Sequence, residues 1–199
     1  MPDARDRRLV NLLGALSLVQ TDQMIEAAEA ACDLTGAGPA ALVALHESRS
    51  GRSIGDLRQL VGLTHSGAVR LVDRLVSAGY VERRSGQNGR SVGLRLTRRG
   101  IAAARAVRAA RHDAMARSVD ALDDADRASL AKLCASLLSN LTEQRLLKRE
   151  KGEQPAGGAL CRLCDFVSCG RRNGHCPAAQ AAAEHRARPQ AGLRGAVGS

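Results

Sequence analysis

The stretch SIGDLRQLVGLTHSGAVRLVDRLVSAGY, running from Ser53 to Tyr80, decides the fold. Ser53-Ile-Gly-Asp56 has the form of a capping box, in which a hydroxyl and a carboxylate three residues apart each satisfy an orphan amide at a helix start. It predicts a helix over about Ile54 to Val61. Gly62-Leu63-Thr64 interrupts that helix, and Thr64 can cap a second one whose apolar positions, Ala68, Leu71, Val72 and Leu75, share a face. This second helix, about His65 to Ala78, would be roughly 21 Å long at ~1.5 Å per residue, a length suited to a major groove. Gly79 ends it. Two short helices joined by a tight glycine-containing turn make a helix-turn-helix.

Downstream, Tyr80 to Arg84 and Ser91 to Thr97 read as two strands around Ser85-Gly-Gln-Asn-Gly-Arg90, with Val92, Leu94 and Leu96 alternating against Gly93 and Arg95. Asn88-Gly89 is the strongest local hairpin signal in the chain. A hairpin with an arginine near its tip, following a helix-turn-helix, is a wing. The six arginines from Arg83 to Arg99 have no acid among them.

The chain has 199 residues and a formal net charge of +10. Between Arg52 and Arg99 there are ten basic residues against three acids, Asp56, Asp73 and Glu82, so the excess is concentrated on the helix-turn-helix and its wing. Such a stripe is either a solvated arginine-rich face or a partner for phosphates, which it would bind with release of counter-ions. The arginines of the wing favour nucleic acid.

Composition sets the surroundings. Tyr80 and Phe166 are the only aromatic residues, so apolar volume must come from Ala, Leu and Val, and a mainly α fold follows. No apolar run is long enough to cross a bilayer. The first residues carry charges of both signs and do not read as a secretory signal, so a cytoplasmic protein with no membrane partner is expected.

Upstream, Leu9, Leu12, Leu13, Leu16 and Val19 recur at helical spacing in a helix, or two, from about Arg5 to Asp33. Thr35-Gly-Ala-Gly-Pro39 breaks it, and Pro39 suits the first turn of a further helix through Leu45. Ser48-Arg-Ser-Gly-Arg52 reads as a loop. After Gly100 the helical pattern resumes, and Asp123 or Asp124 caps a last helix with Leu130, Leu133, Leu137 and Leu141 in a row. The first and last helices have apolar stripes wider than a small winged domain can cover, which makes pairing of two chains the economical solution. Accordingly, residues 1–34 are expected to be an N-terminal dimerisation helix, 35–100 the winged helix-turn-helix, and 101–150 C-terminal dimerisation helices.

Leu75-Val-Ser-Ala-Gly-Tyr-Val-Glu-Arg-Arg84, Asn88-Gly-Arg90 and Leu94-Arg-Leu-Thr97-Arg-Arg-Gly100 together resemble the MarR family of winged helix-turn-helix transcriptional regulators, over roughly residues 8 to 147. The resemblance implies a homodimer on double-stranded DNA at a palindromic operator, with recognition helices in successive major grooves and wings at the flanking minor grooves. It further implies a repressor acting by occupancy of its operator, under effector, redox or metal control, with a small-molecule effector among the partners. On this resemblance Thr64, His65, Ser66, Val69 and Arg70 are the expected DNA contacts of the recognition helix. Arg70 is the expected base reader, because its planar fork can bond guanine O6 and N7 together. Arg74 is expected to bind phosphate or brace the wing, Arg90 to enter the minor groove, and Asn88 to be a further DNA-binding residue of the wing. Asn88 stands where the family usually has an acid two positions before the wing arginine, so bracing of the wing by an Asp is not expected here.

Beyond residue 150 the composition changes. Residues 151–160 read as a flexible linker, 161–177 as a metal-binding motif and 178–199 as a disordered tail. Cys161, Cys164, Cys169 and Cys176 fall in the pattern C-x2-C-x4-C-x6-C-P. Four thiolates in so short a stretch can surround one centre, either an iron-sulfur cluster or Zn2+. Only one short-spaced pair is present, against the habit of zinc modules, while the uneven spacing and Cys176-Pro177 suit a cluster loop. Either centre would carry about two negative charges, which Arg162, Arg171 and Arg172 could offset. Asp165 and His175 are substitute ligands. Cys134 reads as a small core residue of the last helix, and Cys32 as a candidate sensing thiol.

No P-loop, Rossmann fingerprint, G-x-S-x-G or H-E-x-x-H occurs, so an enzyme is not expected. The competing reading is a metal-binding module that uses the winged domain as a scaffold for protein contacts.

Overall fold

A computed structural model describes residues 3–47, 52–85, 92–153 and 157–188. The capping box forms as its residues dictate: Ser53 Oγ accepts from the Asp56 amide at 3.1 Å, and the Asp56 carboxylate accepts from the Ser53 amide at 3.1 Å. The helices are α1 (Ala4–Ala30), α2 (Gly38–Glu47), α3 (Ile54–Val61), α4 (His65–Ser77), α5 (Arg98–Arg117), α6 (Asp124–Glu150) and α7 (Pro177–Ala187). The strands are β1 (Arg52–Ser53), β2 (Val81–Ser85) and β3 (Val92–Leu96). The chain divides into two units, one comprising Met1–Asp123 with Gly157–Asp165, the other Asp124–Ala156 with Phe166–Ser199.

In the first unit α2 is the centre. Pro39 to Leu45 are buried, and α2 packs on α1, α3, α5 and β3. Leu57, Leu71, Val72, Leu75, Leu94 and Val107 close around it with relative exposures of 0–2%. Each such side chain contributes about 1.5–3 kcal/mol by leaving water, so the apolar rows of α3 and α4 fix how the helix-turn-helix sits. Tyr80 is buried with them, and its hydroxyl donates to the Cys32 carbonyl at 2.8 Å, satisfying the one polar atom of the ring.

The sheet is antiparallel in the order β1-β3-β2, with Val81 opposite Leu96 and Arg52 opposite Leu94. The expected hairpin is therefore the larger part of a three-stranded sheet. Arg52, placed in a loop by sequence, is in a strand of two residues whose pairing is wholly non-local. At the far end of β3, Thr97 accepts from the Gly100 amide at 3.0 Å and donates to the Gly79 carbonyl at 2.7 Å, starting α5 and tying it to the end of α4. Gly100 is required there: a Cβ would lie 2.0 Å from the Tyr80 carbonyl oxygen.

In the second unit α7 packs against α6. His185 Nε2 lies 2.9 Å from Glu150 Oε1, and Arg188 pairs with Glu143. The disordered tail expected over 178–199 is thus corrected for residues 178–187, which lie in α7, where proline at the first helical position and an alanine run form a helix. The expected linker is also cut short, since Gly157 to Ala159 belong to the first unit, where the Ala159 amide bonds the Leu60 carbonyl. Cys134 is exposed on α6, contrary to the core position expected of it.

Among the described residues, no helix is long and apolar enough to cross a membrane.

Candidate nucleic-acid interface

Thr64 starts α4 as predicted. Its side chain accepts from the Gly67 amide at 3.1 Å and lies 3.4 Å from Ser66 Oγ. With Ala68, Leu71, Val72 and Leu75 turned into the core, the helical period leaves Thr64, His65, Ser66, Arg70 and Arg74 exposed and Val69 half-buried. The six residues expected to meet DNA here, Thr64 capping α4 and five within it, therefore lie on and beside one open helix face. Neither Arg70 nor Arg74 takes part in an ion pair among the described residues, and both line a crevice with Ala37, Leu63, Gly67 and Asp73. Asn88 and Arg90 lie outside the described residues.

Other cations of the basic stripe are already engaged. Arg83 on β2 donates to Asp73 on α4 at 2.6 Å, Arg84 donates to Glu82 at 2.9 Å, and the Arg99 guanidinium stands 4.7 Å from the centre of the Tyr80 ring. Among the described residues the stripe thus includes arginines engaged within the fold and arginines presented outward on α4.

A buried ionic group was not foreseen. The Glu47 side chain, 1% exposed at the end of α2, forms an ion pair with Arg108 of α5 at 2.9 Å, and the same guanidinium pairs with Asp165. Asp165, a substitute metal ligand by sequence, thus has a structural partner. The signal available was a glutamate closing the otherwise apolar Ala40-Ala-Leu-Val-Ala-Leu-His-Glu47; its partners are remote in sequence.

Of the four clustered cysteines, Cys161 and Cys164 are in the first unit, where the Cys164 amide donates to the Cys161 carbonyl at 3.1 Å. Cys169 and Cys176 are in the second. There, burial pushes the Cys169 thiol above its ordinary pKa, opposed by a backbone hydrogen bond at Arg171 and reinforced by the neighbouring Cys176 thiol. None of the six cysteines is joined in a disulfide, and among the described residues no three His, Cys, Asp or Glu side chains are gathered as ligands for a metal. Arg171 stands over the Phe166 ring at 4.8 Å, and Arg162 donates to the Ala159 carbonyl at 3.1 Å. Cys32 is buried, donates to the Ala28 carbonyl at 3.4 Å, and has its pKa raised, chiefly by burial.

Comparison with known proteins agrees with this geometry. The MarR family model matches residues 33–91. No curated protein matches the chain in sequence. Among solved structures, a MarR family protein from Bacillus stearothermophilus is similar at 22% identity and a TM-score of 0.63, over 71% of this chain and 99% of that one. RV1404 from Mycobacterium tuberculosis is similar at 25% identity and a TM-score of 0.58, over 69% of this chain and 94% of that one. Wild-type MarR from E. coli, in its apo form, is similar at 21% identity and a TM-score of 0.54, over 65% of this chain and 96% of that one. The likeness in fold extends well beyond the matched segment. Residues 33–91, which hold most of the winged helix-turn-helix, are thus similar to the MarR family in sequence, and the chain is similar to MarR proteins in fold.

Proposed function

We propose that the protein is a dimeric, sequence-specific DNA-binding repressor in which α4 enters the major groove and the wing flanks it. The observation that carries this reading is the outward face of α4, where Thr64, His65, Ser66 and Arg70 are exposed in the first two turns and Arg74 a turn further on. Arg70 reads a base, Arg74 binds phosphate, and Asn88 and Arg90 act at the minor groove. Dimerisation is supported by rows of exposed apolar side chains, Leu9, Leu12, Leu13, Leu16 and Val19 on α1 and Leu133, Leu137 and Leu141 on α6, at 45–64% relative exposure. Apolar area on that scale is uncommon on a monomer and common on an interface.

Control belongs to the thiols of Cys161, Cys164, Cys169 and Cys176, which take a soft metal centre, an iron-sulfur cluster or Zn2+. Their spacing supports it, and so does their local pairing, Cys161 with Cys164 in one turn and Cys169 with Cys176. Selection of duplexes from a random pool, with and without the metal, tests the whole reading. Enrichment of a palindrome whose half-sites lie one helical turn apart is expected; recovery of no common sequence would refute it. Anaerobic absorbance with iron, sulfide and zinc analysis decides the centre.

A further inference from the structure

The residues of Gly157–Asp165 lie on the winged helix-turn-helix unit and are anchored to it at three points. At the first, the Ala159 amide donates to the Leu60 carbonyl at 2.8 Å. Leu60 is in the last turn of α3, where carbonyls have no partner within their own helix. A residue remote in sequence therefore supplies a donor to the helix-turn-helix itself. The two backbones meet so closely that a Cβ on Gly158 would stand 2.5 Å from the Leu60 oxygen and 2.6 Å from the Gly62 nitrogen. Gly158 and Gly62 also have φ of +73° and +71°, so glycine is required on both sides of the contact. At the second anchor Leu163 packs against the buried core. At the third Asp165 pairs with Arg108, which also holds the buried Glu47. Cys161 and Cys164, both half-buried, lie between these anchors, joined by the turn in which the Cys164 amide bonds the Cys161 carbonyl.

We infer that Gly157–Asp165 is a strap coupling the Cys161 and Cys164 thiols to the turn between α3 and α4, so that an ion taken by these sulfurs alters the hold of α4 on DNA. The inference rests on the DNA-binding reading above and names its route of control. Each thiol binds as thiolate and gives up a proton. Drawing both sulfurs to about 2.3 Å from one zinc ion reshapes the turn through Arg162 and Leu163. Ala159 and Asp165 on either side of that turn and Leu163 within it are anchors, and the tight Gly158 contact has no slack to absorb the change. The movement therefore reaches Leu60 and the start of α4.

The test uses the full chain with Zn2+ as the probe, and reads both affinity for a pool-selected duplex and amide exchange over residues 58–64. In the unmodified protein, zinc should change duplex affinity by about tenfold or more, within the usual range of coupling between sites, and should change exchange over 58–64. Gly158→Ala, which cannot seat against Leu60, should still bind zinc yet lose both responses. The Cys161→Ser/Cys164→Ser pair should lose them as well. Should Gly158→Ala fail to fold, Asp165→Asn unfastens the other end and should at least halve both responses. Zinc responses of full size in either strap variant would overturn the strap, as would zinc binding by the unmodified chain with exchange over 58–64 unchanged. If no duplex is bound while exchange still responds and is lost in Gly158→Ala, the strap stands and the DNA-binding reading falls.

Discussion

The Asp73 carboxylate of α4 holds the Arg83 guanidinium of β2 at 2.6 Å, joining the helix proposed to read DNA to the strand that leads into the wing. Both side chains are about half exposed, so water and salt screen the pair. Asp73→Ala should shift unfolding in urea by less than about 1 kcal/mol. A loss of several kcal/mol would give the pair a structural weight that its exposure does not suggest.

Glu47 is in a different position. Its carboxylate is buried against Arg108, whose guanidinium also pairs with Asp165. Glu47→Gln should cost about 1–3 kcal/mol in equilibrium unfolding, because Arg108 loses a buried partner but keeps Asp165. A loss below about 1 kcal/mol would mean that water reaches Arg108 without difficulty.

Two glycines should respond in opposite ways. Gly100→Ala places a methyl 2.0 Å from the Tyr80 carbonyl and should destabilise by more than about 3 kcal/mol, as overpacking against main chain does. Gly55→Ala, in the first turn of α3, meets nothing nearer than Ser53 Oγ at 3.5 Å and should raise stability by up to about 1 kcal/mol. Thermal melts of both variants check this, and equal effects would contradict the packing described.

The cysteines outside the cluster separate by reactivity. Burial raises the Cys32 pKa, so at neutral pH its thiolate is scarcer than that of an ordinary thiol, whereas Cys134 is exposed. Brief treatment of the native chain with iodoacetamide should label Cys134 well before Cys32, and Cys32 should quicken only as pH rises through its elevated pKa. Labelling of Cys32 at the rate of Cys134 near pH 7 would reopen a sensing role for it.

What was legible in the sequence was local. Ser53 with Asp56, and Thr64 with the α4 apolar row, fixed the helix starts because a cap and the residues it serves are three positions apart. β1 was not legible, since its two residues become a strand only by pairing with Gly93 and Leu94. Gly157 and Gly158 read as linker because their composition is that of a linker, and only the backbone of Leu60 and Gly62 turns them into a fitted contact. The Glu47–Arg108–Asp165 group likewise spans three distant segments. The α4 site was readable in advance because burying Ala68, Leu71, Val72 and Leu75 determines which residues remain outside.

The most direct measurement is duplex affinity against salt, for the unmodified chain and for Arg70→Ala on the selected palindrome. The account predicts a linear fall of log K with log salt, with the substitution costing about 1–3 kcal/mol and relaxing preference at one base pair of each half-site. Affinity that ignores salt, or an Arg70→Ala protein that binds and discriminates like the unmodified one, would contradict it.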